Sequence, residues 1–254
     1  MSASSRLAGL LFLAVAIAAP AAARAEDAAA PSCPVVPQAA LVVPRFAEAV
    51  ARGAVHIVAF GSSSTAGAGA SSPSHAYPAQ LERQLRRALP GVRVTVTNRG
   101  IGGEDARQMI ARIGPRVLAE SPDLVIWQLG ANASLRSLGT ENFRQRLDEG
   151  LAQFLGSGVD VVLMDNQRAP RIDARPGHGI YDAILRQAAA NHAGVGLFRR
   201  GMFMDALATH GVSTAELVGP DGLHHTDRGY ACVAEALTQA LVAGLRTTLR
   251  QAGR

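Results

Sequence analysis

The sequence has no lysine; all 25 of its basic residues are arginine. That removes the phosphate-loop reading of the glycine- and serine-rich stretch Gly61–Gly69, which lacks the Gly-Lys-Ser/Thr ending such a loop needs. Aromatic residues make up only 4% of the chain. Stacking platforms for single-stranded nucleic acid are therefore scarce, and no nucleic-acid partner is expected. The arginines are scattered, with the densest groups at Arg86-Arg87, Arg199-Arg200 and Arg168-Arg171-Arg175. There are two cysteines, Cys33 and Cys232, and neither has a metal-ligand spacing. A metal centre and a catalytic thiol are both unexpected. Beyond the N-terminus no segment is apolar and long enough to cross a bilayer.

What is present begins with a targeting segment. Arg6 supplies a short positive region, Leu7 to Ala19 is apolar, and Ala23-Arg24-Ala25 is a small-x-small cleavage site. This pattern predicts a secretory signal peptide over residues 1–25, cut before Glu26, and a periplasmic or secreted protein with no stable membrane insertion after cleavage. The alternative is an uncleaved anchor. Removing Arg6 and Arg24 takes the 25 basic residues to 23, against 20 acidic ones. In an oxidising compartment the two cysteines would form one disulfide; two unpaired thiols are the alternative.

With 48% hydrophobic residues over 254 positions, the chain can build one sizeable domain. Residues 26–52 read as a lead, rich in Ala and Pro at first, with a short helix near Arg45–Arg52. Residues 53–250 read as the domain. Apolar runs at Val55–Phe60, Val92–Thr97, Leu124–Leu129, Val159–Met164 and Gly194–Phe198 predict strands. Between and after them lie helical patterns, including Tyr77–Leu89, a helix running to about Leu118, Thr140–Leu155, Ile180–Asn191, Met202–His210 and Thr226–Leu249. His56 interrupts the first run and reads as a core or edge residue. Strands alternating with helices predict a parallel sheet of about five strands inside a three-layer α/β/α sandwich. Right-handed crossovers then bring the strand-to-helix loops to one edge, where ligands bind in open α/β sheets.

Those loops carry chemistry. Phe60-Gly61-Ser62-Ser63 ends the first strand in hydroxyls, and Ser63 is the candidate nucleophile, with Ser62 and Ser64 as neighbouring alternatives. Asp221-Gly222-Leu223-His224 precedes the last helix. His224 would be the general base and Asp221 the group orienting it through Nδ1; His225 could exchange roles with His224, and Asp221 could merely cap a turn. The backbone N–H of Ser63, the N–H of Gly103 and the side-chain amide of Asn132 are the candidate oxyanion donors, with Gly102 the alternative glycine. Gln167, Arg168 and Arg171, beyond the fourth strand, read either as substrate contacts or as a solvated loop. The nucleophile elbow G-x-S-x-G fails at Thr65, and G-x-G-x-x-G also fails.

The four blocks Phe60-Gly61-Ser62-Ser63, Asn98-x-Gly100-Ile101-x-Gly103, Gly130-Ala131-Asn132 and Asp221-Gly222-Leu223-His224 resemble those of the SGNH (GDSL-type) hydrolases, in this order. The resemblance covers about Val55 to Tyr230. It implies a flavodoxin-like fold, ester hydrolysis without metal or organic cofactor, and catalytic roles for Ser63, Gly103, Asn132, His224 and Asp221. Two positions depart from the family pattern: Ser62 and Ala133 stand where it usually has aspartate, which implies altered loop packing. The expected activity is that of an exported serine esterase acting on small or acetyl esters, including those of carbohydrates. A non-catalytic carbohydrate-binding module on the same fold and an O-acyltransferase are the alternatives.

Overall fold

Every residue from Val58 to Phe60 is fully buried, as are Val125 to Trp127 and Val161 to Met164. Strands this apolar on both faces can survive only between two covering layers. In the computed structural model, which describes residues 33–252, they do. Five strands, β1 (Ala54–Gly61), β2 (Arg93–Gly100), β3 (Leu124–Gln128), β4 (Asp160–Met164) and β5 (Val195–Phe198), form one sheet in the order β2-β1-β3-β4-β5. All four pairings are parallel. This is the flavodoxin-like order, whose switch point lies between β1 and β3.

The two-residue period of the strands sorts their side chains into two cores. Ile57, Ala59, Leu124, Ile126, Val162 and Met164 face one layer, built by the helices Tyr77–Ala88, Arg200–Thr209 and Asp227–Ala252. Val58, Phe60, Val125, Trp127, Val161 and Leu163 face the other, built by Ala106–Ile110, Thr140–Gly156 and His178–Asn191. On the last helix Tyr230, Val233, Leu237, Leu241 and Leu245, spaced to share one face, are all buried. Gly150 is required where Trp127 crosses the Thr140–Gly156 helix, because a β-carbon there would come 2.3 Å from the indole.

The signal peptide read at residues 1–25 lies outside the described residues. The described part of the lead is woven into the first core. Leu41, Val43 and Phe46 are buried there, and the Leu41 N–H donates to the Ala240 carbonyl at 3.0 Å. Cys33 is joined to Cys232, 199 residues away, with 5.5 Å between the α-carbons. The pairing expected from two cysteines is present.

Three local expectations need correction. The helix expected to run unbroken to about Leu118 is split into Ala106–Ile110, Ile113–Arg116 and a 3₁₀ turn, Leu118–Glu120. Pro115 explains the break, since its ring removes an N–H and crowds the preceding turn. Strand β2 runs three residues beyond Thr97, because it pairs with β1 residue for residue as far as Gly61 and Gly100. Short helical turns occupy Ser63–Ala66, Ala131–Leu135 and Pro170–Asp173, where loops were expected. His56 sits on β1 and is half-buried, with its ring nitrogens 3.1 Å from the Glu120 carbonyl and 2.9 Å from the Thr97 hydroxyl.

Candidate active site

The carboxyl ends of β1, β2 and β3 meet at the switch point. Ser63 is the first residue of the turn that follows β1, so its N–H has no acceptor inside that turn. Gly61 and Gly100 permit this packing. A β-carbon on Gly100 would lie 2.1 Å from the Ala66 nitrogen, and one on Gly61 would strike the Thr65 hydroxyl and Gln128. Ser62 is buried, and its N–H and hydroxyl both donate to Gln128 Oε1 at 3.0 Å. A neutral side chain thus fills the position where the family pattern has a carboxylate.

The Ser63 hydroxyl donates to His224 Nε2 at 2.8 Å, and His224 Nδ1 lies 2.5 Å from Asp221 Oδ2. The three groups form one line although Ser63 and His224 are 161 residues apart. Asp221 also accepts the backbone N–H groups of Leu223 and His224 on Oδ1, at 2.9 and 3.0 Å. Partial burial pushes its carboxyl pKa up, but these N–H donors and the imidazole outweigh burial and hold it below the usual range. With the acid ionised and Nδ1 bearing the proton, Nε2 is left as the acceptor that a general base requires.

The exchange of His224 with His225 is excluded by burial. His225 is 1% exposed, donates from Nδ1 to the Leu217 carbonyl at 3.0 Å, and packs edge-on against Tyr230. Desolvation, aided by the Arg200 charge, pushes its pKa down to about 3, so it is neutral.

The glycine turn lies beside the nucleophile: a β-carbon on Gly102 would stand 4.0 Å from that of Ser63. Gly103 has φ +79, a left-handed conformation that glycine adopts without strain. Its carbonyl accepts from Arg136 at 2.6 Å. Asn132, in the turn after β3, donates one amide N–H to the Glu104 carbonyl at 2.8 Å and keeps a second for other use. Ala133 is buried.

Gln167 is neither exposed nor a substrate contact by its geometry. It is 1% exposed, donates to the Leu223 carbonyl at 2.9 Å, and approaches the Ser64 hydroxyl at 3.5 Å. It therefore spans the serine turn and the histidine loop. The fully buried Arg200 orients it through a 2.6 Å bond to its carbonyl oxygen. Arg168 pairs with Asp205, and Arg171 is exposed while its N–H donates to the Gly222 carbonyl. Gln128, Arg112 and Arg200 escape a motif search, and the bracing role of Gln167 between the two loops has no sequence signature. The one trace of Gln128 in the sequence is a polar residue closing the apolar run of β3.

A family model described as the Non-GDSL lipase-like family matches residues 28–247, lead included. An arylesterase of Vibrio mimicus is 29% identical over 177 residues, which cover 67% of this chain and 84% of that protein. Among solved structures, LAE5, an alpha/beta hydrolase enzyme from the metagenome of Lake Arreo, Spain, superposes with a TM-score of 0.62 at 25% identity, over 74% of this chain and 96% of that one. An acetyl xylan esterase from Geobacillus stearothermophilus superposes with a TM-score of 0.63 at 19% identity, over 73% and 94%, a likeness of fold. The match over nearly the whole described chain and the esterase relative agree with the four blocks in their expected order. The chain therefore belongs to the Non-GDSL lipase-like family of SGNH/GDSL-like hydrolases and is a carboxylic ester hydrolase.

Proposed function

We propose that this hydrolase is exported and cleaves short-chain or acetyl esters, including those of carbohydrates, through an acyl-enzyme on Ser63. The observation that carries the mechanism is the unbroken line from the Ser63 hydroxyl through both nitrogens of His224 to Asp221. His224 Nε2 takes the hydroxyl proton as Ser63 Oγ attacks the ester carbonyl carbon. The oxygen of the tetrahedral intermediate receives hydrogen bonds from the Ser63 and Gly103 N–H groups and the Asn132 amide. As the intermediate collapses, His224 returns the proton to the departing alcohol. A water molecule, deprotonated in turn by His224, then releases the acid and restores Ser63.

The substrate class is supported by the surface next to Asp221. A depression of about 600 Å³ opens there, edged by Ser71, Glu216, Asp221, Thr226 and Asp227, with Gly69, Gly219 and Pro220 among its walls. A lining rich in hydroxyl and carboxylate side chains suits a sugar, which presents many hydroxyls to bind. The arylesterase relative favours an aryl ester as the assay substrate. Export is supported by the Cys33–Cys232 disulfide.

The test is hydrolysis of p-nitrophenyl acetate by wild type and Ser63→Ala. Turnover that disappears in the variant is expected, with an acetyl group trapped on Ser63 at low pH. Equal rates would remove Ser63 from the mechanism.

A further inference from the structure

Arg112 is a charged residue that the relay does not use, yet its side chain is only 11% exposed. Its Nε and Nη2 face the Glu104 carboxylate at 2.7 and 2.5 Å. Its Nη1 donates to the Arg99 carbonyl at 2.7 Å, and Nη2 also reaches the Gly61 carbonyl at 3.2 Å. The guanidinium carbon stands 4.4 Å from the centre of the Phe60 ring. One planar group thus grips the last residues of β1, the end of β2 and the glycine turn.

Glu104 passes this grip on. Its side chain is held by Arg112, its nitrogen follows directly on Gly103, and its carbonyl accepts the Asn132 amide. Both candidate oxyanion donors outside the serine turn are therefore tied to the backbone of one residue. A buried ion pair contributes little net stability, because desolvation offsets the attraction. It does contribute geometry, since the guanidinium fork fixes several acceptors at once. Preorganised donors are what an oxyanion site needs.

We propose that Arg112 is a positioning residue that holds the oxyanion donors Gly103 and Asn132 in register with Ser63, acting through Glu104. The inference rests on the acyl-enzyme reading above. It predicts a loss confined to the transition state. Losing one oxyanion donor outright lowers turnover about 100- to 1,000-fold; for a displaced donor, Arg112→Met is expected to lower kcat by about 10-fold or more while KM stays within about threefold.

The experiment measures kcat, KM and the affinity for benzeneboronic acid, whose tetrahedral Ser63 adduct imitates the intermediate. The variants are Arg112→Met, Arg112→Lys and the double change Arg112→Met with Glu104→Gln. Boronate affinity should fall in step with kcat in Arg112→Met. Arg112→Lys should recover part of it, because the charge remains and the fork is lost. The double variant leaves no unpaired buried charge, so it should recover melting temperature while kcat stays low; it carries the test if Arg112→Met does not fold. The downfield proton signal of the His224–Asp221 bond should be unchanged. Wild-type kcat in the double variant, a loss in KM alone, or a fall in kcat with boronate affinity intact would each overturn the proposal. Activity surviving in Ser63→Ala would instead strike at the acyl-enzyme reading itself.

Discussion

Gly69 lies directly against His224: a β-carbon on Gly69 would come within 3.0 Å of the His224 Cβ and 2.6 Å of the His225 carbonyl oxygen. Its φ of +87 adds a backbone constraint. Gly69→Ala is therefore expected to push the histidine loop away from Ser63 and to lower kcat for p-nitrophenyl acetate by about 10-fold or more, since displacements near 1 Å can cost about 100-fold. Unchanged kcat would mean the loop yields without moving the imidazole.

Asp221 is placed to set the tautomer of His224, with Oδ2 2.5 Å from Nδ1. Asn at that position could donate to Nδ1 and leave Nε2 protonated, unable to accept from Ser63. Asp221→Asn is expected to lower kcat on the order of 1,000- to 10,000-fold with little change in melting temperature. A loss under about 10-fold would reduce Asp221 to a turn cap.

The buried carboxyl of Asp165 should make stability depend on pH. Burial, reinforced by the neighbouring Asp182 carboxyl, pushes its pKa up to about 7, against about 3.9 in the unfolded chain. The folded state therefore binds the extra proton between those values. This contribution is complete below about pH 4 and is lost as pH rises through about 7. In urea unfolding, the stability of wild type relative to Asp165→Asn should fall between pH 5 and pH 8. A difference that is flat with pH would show that Asp165 is ionised throughout.

His225 works in the opposite direction. Its pKa of about 3 in the fold, against about 6.5 unfolded, contributes stability that is present above about pH 6.5 and is lost on acidification toward pH 3. His225→Asn keeps a donor for the Leu217 carbonyl. It should lose less stability than wild type between pH 6.5 and pH 4, whatever its starting value. Parallel curves would argue that the buried ring already carries its proton.

The Cys33–Cys232 bridge closes 199 residues. Replacing both cysteines by alanine is expected to lower unfolding stability by about 2–4 kcal/mol, measured in urea at neutral pH. Esterase activity at 25 °C should be retained, because the bridge ties the lead to the last helix and touches none of the reacting groups. No change in stability would mean that Leu41, Val43 and Phe46 secure the lead unaided.

Most of this architecture could be read in advance because it repeats. The strand runs β1, β3 and β4 are apolar without interruption, and parallel pairing forces their loops to a common edge. The meeting of the Ser63, His224 and Asp221 side chains at one edge could be anticipated for the same reason: each residue sits just beyond a strand or just before a helix. What the sequence hid are partners without local signature. Gln128 is 66 positions from Ser62, Gln167 is 56 from Leu223, and Arg112 is 51 from Gly61. No spacing rule links such pairs; only folding brings them into contact. Pro115 is visible in the sequence, but the helical pattern of its neighbours masks the break it makes between Ala106–Ile110 and Ile113–Arg116.

The 161 positions between Ser63 and His224 bear on how the molecule comes into being. The last strand ends at Phe198, so a growing polypeptide has every strand of its sheet before the imidazole has been synthesised. Until the segment around Gly222 emerges, Ser63 has no imidazole beside it. Nor is the fold complete by then: the Asp227–Ala252 helix, whose Tyr230, Val233, Leu237, Leu241 and Leu245 cover one face of the sheet, is the last element to be made.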